Sequence, residues 1–193
     1  MANTLKWLFF PLLAITVNIS VARAADYILE PVHTQILFFC DHLGFSKSQG
    51  EFLEFTGSFS FDPEQPEDAT AEVIIQTASV DMDNQKWNDH MKNQDFFDVE
   101  KFPTMTFKSN QVEVISDGIM NLHGDLTLLG QTHPVTLEVK HNKSGVHPFS
   151  GKYIAGFSAH TTLKRSVFGM TYGLPALGDD IEIRLEIEGI KIQ

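Results

Sequence analysis

The chain is poor in cysteine: Cys40 is the only one in 193 residues. A disulfide within the chain is excluded, so stability must come from the core and from backbone pairing. Cys40 follows Ile36-Leu37-Phe38-Phe39 and reads as a buried small hydrophobe with a free thiol. Basic residues are also scarce, with 14 Lys and Arg against 25 Asp and Glu. A surface of that sign repels phosphate backbones and anionic lipid headgroups, which argues against nucleic acid as a partner. Signatures of catalysis are missing: there is no Gly-x-Ser-x-Gly elbow, and scattered Ser, His and Asp do not make a triad. Repeats and low-complexity tracts are absent as well.

Metal-ligand spacing is also lacking. Eight histidines are present, but no His-x-His, His-x3-His or Cys-x2-Cys pair occurs. His133 and His141 fall on one face of a predicted strand but at its opposite ends. At about 3.3 Å per residue they are too far apart to share an ion. His123 reads as a cross-strand polar partner of Glu138, and His147 stands apart. No metal, no cofactor and no catalytic residue is expected.

Long apolar runs are confined to the N-terminus. Lys6 precedes an apolar stretch from Trp7 to Val17, and Ala22-Arg23-Ala24 gives a small-x-small cleavage pattern. The stretch is shorter than the roughly 20 residues a transmembrane helix needs. Residues 1–24 are therefore expected to be a cleaved signal peptide, residues 25–193 one mature domain, and no transmembrane span. Loss of Lys6 and Arg23 leaves 12 basic residues against 25 acidic ones, a net charge of −13.

What remains alternates. Segment 50–61 places Leu53, Phe55, Phe59 and Phe61 on one parity and Glu54, Thr56, Ser58 and Ser60 on the other. Segment 181–187 sets Ile181, Ile183, Leu185 and Ile187 against Glu182, Arg184 and Glu186. Period two with one polar face is the mark of antiparallel sheet. About eight such segments are predicted, near 27–40, 50–61, 70–78, 104–115, 119–129, 133–142, 150–163 and 180–191. Asp117-Gly118 is predicted as a turn, and so is the stretch from Asn142 to Gly145. Taking Gly130-Gln131 as a two-residue loop pairs Leu129 with Thr132, Leu126 with Val135 and Leu122 with Val139. One segment breaks the period: 84–94 is polar, with Trp87 and Met91 on one helical face and Asp83 or Asn84 as cap. A helical turn is expected near 163–168. Closing about eight antiparallel strands removes the exposed edges. Whether such a barrel is filled or hollow is left open by pattern, and the fourteen phenylalanines of the mature chain suit either.

Several stretches carry more than periodicity. They are Asp95-Phe96-Phe97-Asp98-Val99-Glu100-Lys101-Phe102-Pro103, His42-Leu43-Gly44-Phe45-Ser46, Gly124 to Gly130, Ala155-Gly156-Phe157-Ser158-Ala159, and Lys164-Arg165-Ser166-Val167-Phe168-Gly169-Met170. In this order they resemble the YceI-like family of periplasmic lipid-binding barrels, across nearly all of the mature chain. The resemblance implies an all-β, lipocalin-like antiparallel barrel with one inserted α-helix. It implies a hollow barrel that binds and carries a polyisoprenoid or another long-chain lipid in the periplasm, without an enzymatic step. It also suggests a homodimer, although no residue pattern marks an interface. On the parity opposite the charged residues, the candidate cavity wall is Leu53, Phe55, Phe59, Phe61, Val73, Ile75, Leu126 and Leu128. His42 and Arg165 are candidates for holding a headgroup. His42 could instead fix its turn, and Arg165 could instead form a structural ion pair with a carboxylate.

Overall fold

The computed structural model describes residues 24–192; the expected signal peptide lies outside the described residues, apart from Ala24. The alternating segments form eleven antiparallel strands: β1 (Ala25–Leu29), β2 (Gln35–His42), β3 (Ser46–Phe52), β4 (Phe55–Phe61), β5 (Thr70–Gln76), β6 (Val80–Asp81), β7 (Thr104–Ser116), β8 (Ile119–Leu128), β9 (Gln131–Val146), β10 (Tyr153–Lys164) and β11 (Leu177–Lys191). One α-helix, α1 (Gln85–Lys92), lies between β6 and β7. Neighbouring strands run β1-β4-β5-β7-β8-β9-β10-β11-β2-β3-β6, and β1 also pairs with β11. β1 and β2 share β11 as a neighbour, so they are two halves of one kinked strand; β3 and β4 are two halves of another. The result is a closed eight-stranded antiparallel barrel.

Both kinks have local causes. In the first, Pro31 has no N–H for a ladder. The Glu30 carboxylate instead accepts from Val32 N and His33 N at 3.2 and 2.8 Å. Thr34 Oγ1 stands in for a backbone group, donating to Glu188 O at 3.2 Å and accepting from Glu188 N at 3.1 Å. In the second, residues 53–54 leave the ladder to meet Ser79: Leu53 N donates to Ser79 O at 3.2 Å and Glu54 N to Ser79 Oγ at 3.0 Å. Segment 50–61 is thus two strands rather than the single one expected. The break also shifts the parity: Phe52 points inward and is buried, while Leu53 is 58 % exposed.

The β8–β9 hairpin turns one residue earlier than expected. Leu129 and Gly130 form the loop with φ of 52° and 71°, the positive values a tight hairpin turn needs at both positions. Leu128 pairs with Gln131, Leu126 with His133 and Leu122 with Leu137. Every predicted pair is therefore displaced by two residues, and an even shift keeps each side chain on its face. His123 meets Thr136 at 2.8 Å, not Glu138. The Asn142–Gly145 stretch is not a turn either. β9 continues to Val146, and Asn142 has no residue opposite it where the β9–β10 register shifts. Turn-type residues here mark a bulge, and the chain reverses at 147–152 instead.

The interior has two unlike ends. At one, Tyr27 stacks on Phe59 with centroids 4.8 Å apart, and Phe157 meets Phe59 and Phe61 edge-on at 5.4 and 4.9 Å. His141 sits against Phe61 and Phe157, at 4.8 and 5.2 Å. Gly189 makes the stack fit, because a Cβ there would overlap the Phe59 ring. These rings, with Met120, Val139, Ala155 and Ala159, fill the barrel solidly. At the other end Phe38, Phe52, Val80, Phe96, Phe97, Phe168 and Met170 line the interior around α1 without closing it.

Candidate functional site

A cavity of about 430 Å³ occupies the helix end of the barrel. It reaches inward to Leu122, Leu137 and Ile187; its walls include Val73, Ile75, Met105, Phe107, Leu126, Leu128 and Val135; its mouth carries His42, Trp87, His90, Met91, Arg165 and Tyr172. Nearly every group facing it is apolar, the chemistry expected of a pocket for a hydrocarbon chain.

The mouth is built from the sequence signatures. Asn84 caps α1, its Oδ1 accepting from Lys86 N at 3.1 Å and Trp87 N at 3.3 Å. Asn88 ties the helix to β6 by donating to Asp81 Oδ1 and accepting from Met82 N, both at 2.7 Å. This turns Trp87 and Met91 to the cavity. Beyond the helix, Phe97 N donates to Met91 O at 3.0 Å and Asp98 adopts φ 44°, which directs Phe96 and Phe97 inward. Phe97 meets Phe52 edge-on at 5.2 Å; Phe96 meets Tyr172 at 5.3 Å and His90 at 4.9 Å. Thr77 Oγ1, fully buried, donates to Phe102 O at 2.7 Å and ties down the rest of the signature.

Arg165 is 3 % exposed, in the helical turn expected near 163–168, and borders the cavity. Its Nε donates to Gly178 O at 2.7 Å, Nη1 to Met170 O at 3.1 Å and Nη2 to Leu177 O at 3.3 Å. The expected carboxylate partner is not found: among the described residues none lies within 4.0 Å of it. Asp179 is engaged by Ser166, whose N and Oγ both donate to it at 2.9 Å. Burial works to raise the Asp179 carboxyl, but these hydrogen bonds and the charges of Lys164 and Arg165 outweigh it and hold the pKa low. Arg165 therefore knots the 165–178 loop together through carbonyls and leaves a cationic edge beside the cavity.

His42 also borders the mouth, its ring 6.2 Å from Trp87. It does not fix its turn through its side chain. That role belongs to Asp41, whose Oδ1 accepts from Gly44 N at 2.9 Å. Cys40 is half-buried and faces the cavity, rather than being fully buried as expected. Burial pushes its thiol pKa up, with Arg165 opposing the shift, so the thiol form is favoured.

Of the eight wall candidates, Val73, Ile75, Leu126 and Leu128 line the cavity. Leu53 does not, because the parity shift places it outside. Phe55 points inward but packs against the cluster under α1. Phe59 and Phe61 also point inward, but at the filled end, where they form the stack. Sequence reasoning missed Met105 and Phe107 on β7, which pair across the sheet with Ile75 and Val73. Their alternation with Thr104 and Thr106 was the available signal. It also missed Phe96 and Phe97 as cavity residues, although the signature named them.

The four histidines considered for metal, His123, His133, His141 and His147, are not brought together. His133 packs edge-on against Phe168 at 5.0 Å, and His141 is part of the aromatic stack. Among the described residues, ligand-type atoms converge only at Glu30, His33 and Glu188, within 4.8 Å of one another. There the Glu30 carboxylate already accepts from His33 Nδ1 at 2.8 Å and from two backbone N–H groups.

A closed barrel that is solid at one end and opens into an apolar cavity at the other defines the lipocalin-like class of binding barrels. Within that class the chain belongs to the YceI-like family, whose domain model matches residues 27–189. It is 40% identical over 172 residues, 88% of this chain, to a UPF0312 protein of Ectopseudomonas mendocina (strain ymp), of which it covers 90%. The crystal structure of the Campylobacter jejuni YCEI protein aligns with a TM-score of 0.71 and 30% identity, covering 79% of this chain and 90% of that one. A polyisoprenoid binding domain from Saccharophagus degradans, implicated in plant cell wall breakdown, shares the fold with a TM-score of 0.68 at 12% identity, covering 88% of this chain and all of that one.

Proposed function

We propose that this protein binds a long apolar molecule inside the barrel and carries it across the periplasm, with no chemical step. The ligand class that fits best is a polyisoprenoid: a quinone, a quinone precursor, or an isoprenoid alcohol or phosphate. Fatty amides share the necessary physics. The observation that carries the reading is the cavity itself, about 430 Å³ of almost wholly apolar lining with one buried guanidinium and the imidazoles of His42 and His90 at its mouth. An isoprenoid tail has no polar atoms to satisfy, so the walls need bulk and shape. Burial supplies the driving force, at about 25 cal/mol per Å² of apolar surface, offset by ordering of the flexible tail. Arg165 and His42 are placed to hold a carbonyl, hydroxyl or phosphate at the mouth. The polyisoprenoid-binding neighbour supports the ligand class. The apolar run before Ala22-Arg23-Ala24 supports export, and the acidic mature chain suits a carrier that stays off anionic bilayers.

The test is native mass spectrometry of protein purified from periplasm and then delipidated and reloaded. A bound isoprenoid, quinone or acyl lipid in the purified protein, and its uptake at micromolar concentration after stripping, is the expected result. A stripped protein that takes up none of these overturns the reading. His42→Ala is expected to weaken retention of headgroup-bearing ligands more than that of plain alkyl chains.

A further inference from the structure

The open end of the barrel exposes apolar groups that the fold does not need. His42 O accepts from Phe45 N at 3.0 Å and Asp41 Oδ1 from Gly44 N at 2.9 Å, so the β2–β3 turn is a fixed hairpin tip. Leu43 stands in it at φ 60°, nearly half exposed. Leu129 shares that left-handed backbone but packs on the core, whereas Leu43 belongs to neither apolar cluster. Phe45, two residues on, is 88 % exposed. Neither choice serves the folded state, and a local rule broken without gain to the fold points to a use outside it.

The tip is continuous with the cavity mouth. His42 lies 6.2 Å from Trp87; His90, one turn along α1, lies 5.2 Å from Tyr172. Trp87 and Tyr172 are themselves nearly half exposed. Both are apolar bodies with a polar edge, the side chains that settle at a membrane–water interface. Charge follows the same boundary. Segments 42–50 and 165–178, which carry Leu43, Phe45 and Tyr172, contain no Asp or Glu in a chain that holds 25. The acidity that repels bilayers elsewhere is missing where these groups stand.

We propose that this rim docks the open barrel on a neutral phospholipid bilayer, with Phe45 and Leu43 inserted among the headgroups, so that a lipid guest passes between membrane and cavity without crossing water. This rests on the carrier reading above and gives it a partner. A bilayer is where an apolar guest is dissolved, whereas a second copy seated on the rim would close the mouth.

Lipid-stripped protein is mixed with phosphatidylcholine vesicles, and bound protein is read by flotation. Trp87, the single tryptophan after residue 24, is read by quenching from bromine-labelled acyl chains. Wild-type protein is expected to float with the vesicles and to be quenched. Phe45→Ser and Leu43→Asn are each expected to lower the partition coefficient by at least about fivefold. Neither side chain lines the cavity or joins the core, so both variants fold and take up a prenyl alcohol from solution as the wild type does. Phe149→Ser is the control. That side chain is 94 % exposed in the 147–152 turn at the opposite, solid end, and its loss leaves partitioning unchanged. Wild-type protein that does not float overturns the proposal. So does an equal loss in Phe149→Ser, which marks general stickiness. Binding that requires added phosphatidylglycerol and vanishes in salt also overturns it, since charge would then carry the contact. A dimer that Phe45→Ser splits, with no flotation, makes the tip a subunit contact instead. Stripped protein that takes up no prenyl alcohol from solution removes the carrier reading and the docking role with it; uptake without flotation removes only the docking.

Discussion

Arg165 holds three carbonyls, those of Met170, Leu177 and Gly178, in a place nearly closed to water. Removing the guanidinium takes from these carbonyls their charged donor; Gly178 O keeps Cys40 Sγ at 3.5 Å. Arg165→Met is expected to cost about 3 kcal/mol in urea unfolding. Arg165→Lys should recover less than half of that, because an ammonium cannot span three carbonyls set around a planar fork. A second residue governs acid behaviour. Burial in the aromatic stack depresses His141 below its ordinary value of about 6.5, with Lys143 and Asp117 opposing the shift. The folded state then binds fewer protons than the unfolded one just below that pH, so stability falls as the medium is acidified from about 6.5 through the folded pKa. Glu30, Asp179 and Glu182 have lowered pKa values, and their contributions are lost only at lower pH, below the ordinary carboxylate range near 4. Melting temperatures between pH 7.5 and 5.0 should therefore drop in the wild-type protein and stay nearly level in His141→Gln. An equal drop in both removes His141 as the cause.

At the scale of the element, the hairpins give clean tests. Leu43 sits in the β2–β3 turn at φ 60° with its side chain half exposed. Left-handed backbone costs a leucine about 1 kcal/mol that asparagine largely avoids, so Leu43→Asn should raise the midpoint of denaturation by about that much. In β8, Leu126 faces the cavity and Thr127 faces out, where it meets Thr132 at 2.9 Å. Leu126→Asp should destabilise strongly and Thr127→Asp mildly; equal shifts in thermal melts contradict the observed register. That pairing also shows what could be read in advance. The alternation in β5 and β8 named the strands and their inward faces, since a period of two survives an even register error; for β7 it named the strand but not the face. The Leu129–Gly130 turn was not legible, because positive φ is uncommon for leucine, and what holds Leu129 there is packing of its side chain on the core, a long-range contact. Nor was the break at 53–54, whose cause, Ser79, lies 25 residues away in sequence. The cap and cavity-facing side of α1 were legible because both are local.

For the whole molecule, closure leaves the main sheet without free edges along most of its length, and on the proposed carrier reading ligand occupancy adds to stability. A ligand that binds only the folded barrel stabilises it by mass action, by about 2.7 kcal/mol at a hundredfold excess over Kd. Loaded protein should therefore melt several degrees above stripped protein, and the gap should grow with ligand concentration. The solid end of the barrel has a further consequence. Its side chains complete one another without any guest, so the empty protein keeps one rigid half and confines its looseness to the other. Amide exchange should register this as a sharp spatial boundary. On stripping, protection should fall in α1, in the β2–β3 hairpin and around Leu126 to Leu128, yet persist near Met120, Val139 and Ala155. A container built this way can be emptied and refilled from one end without unfolding.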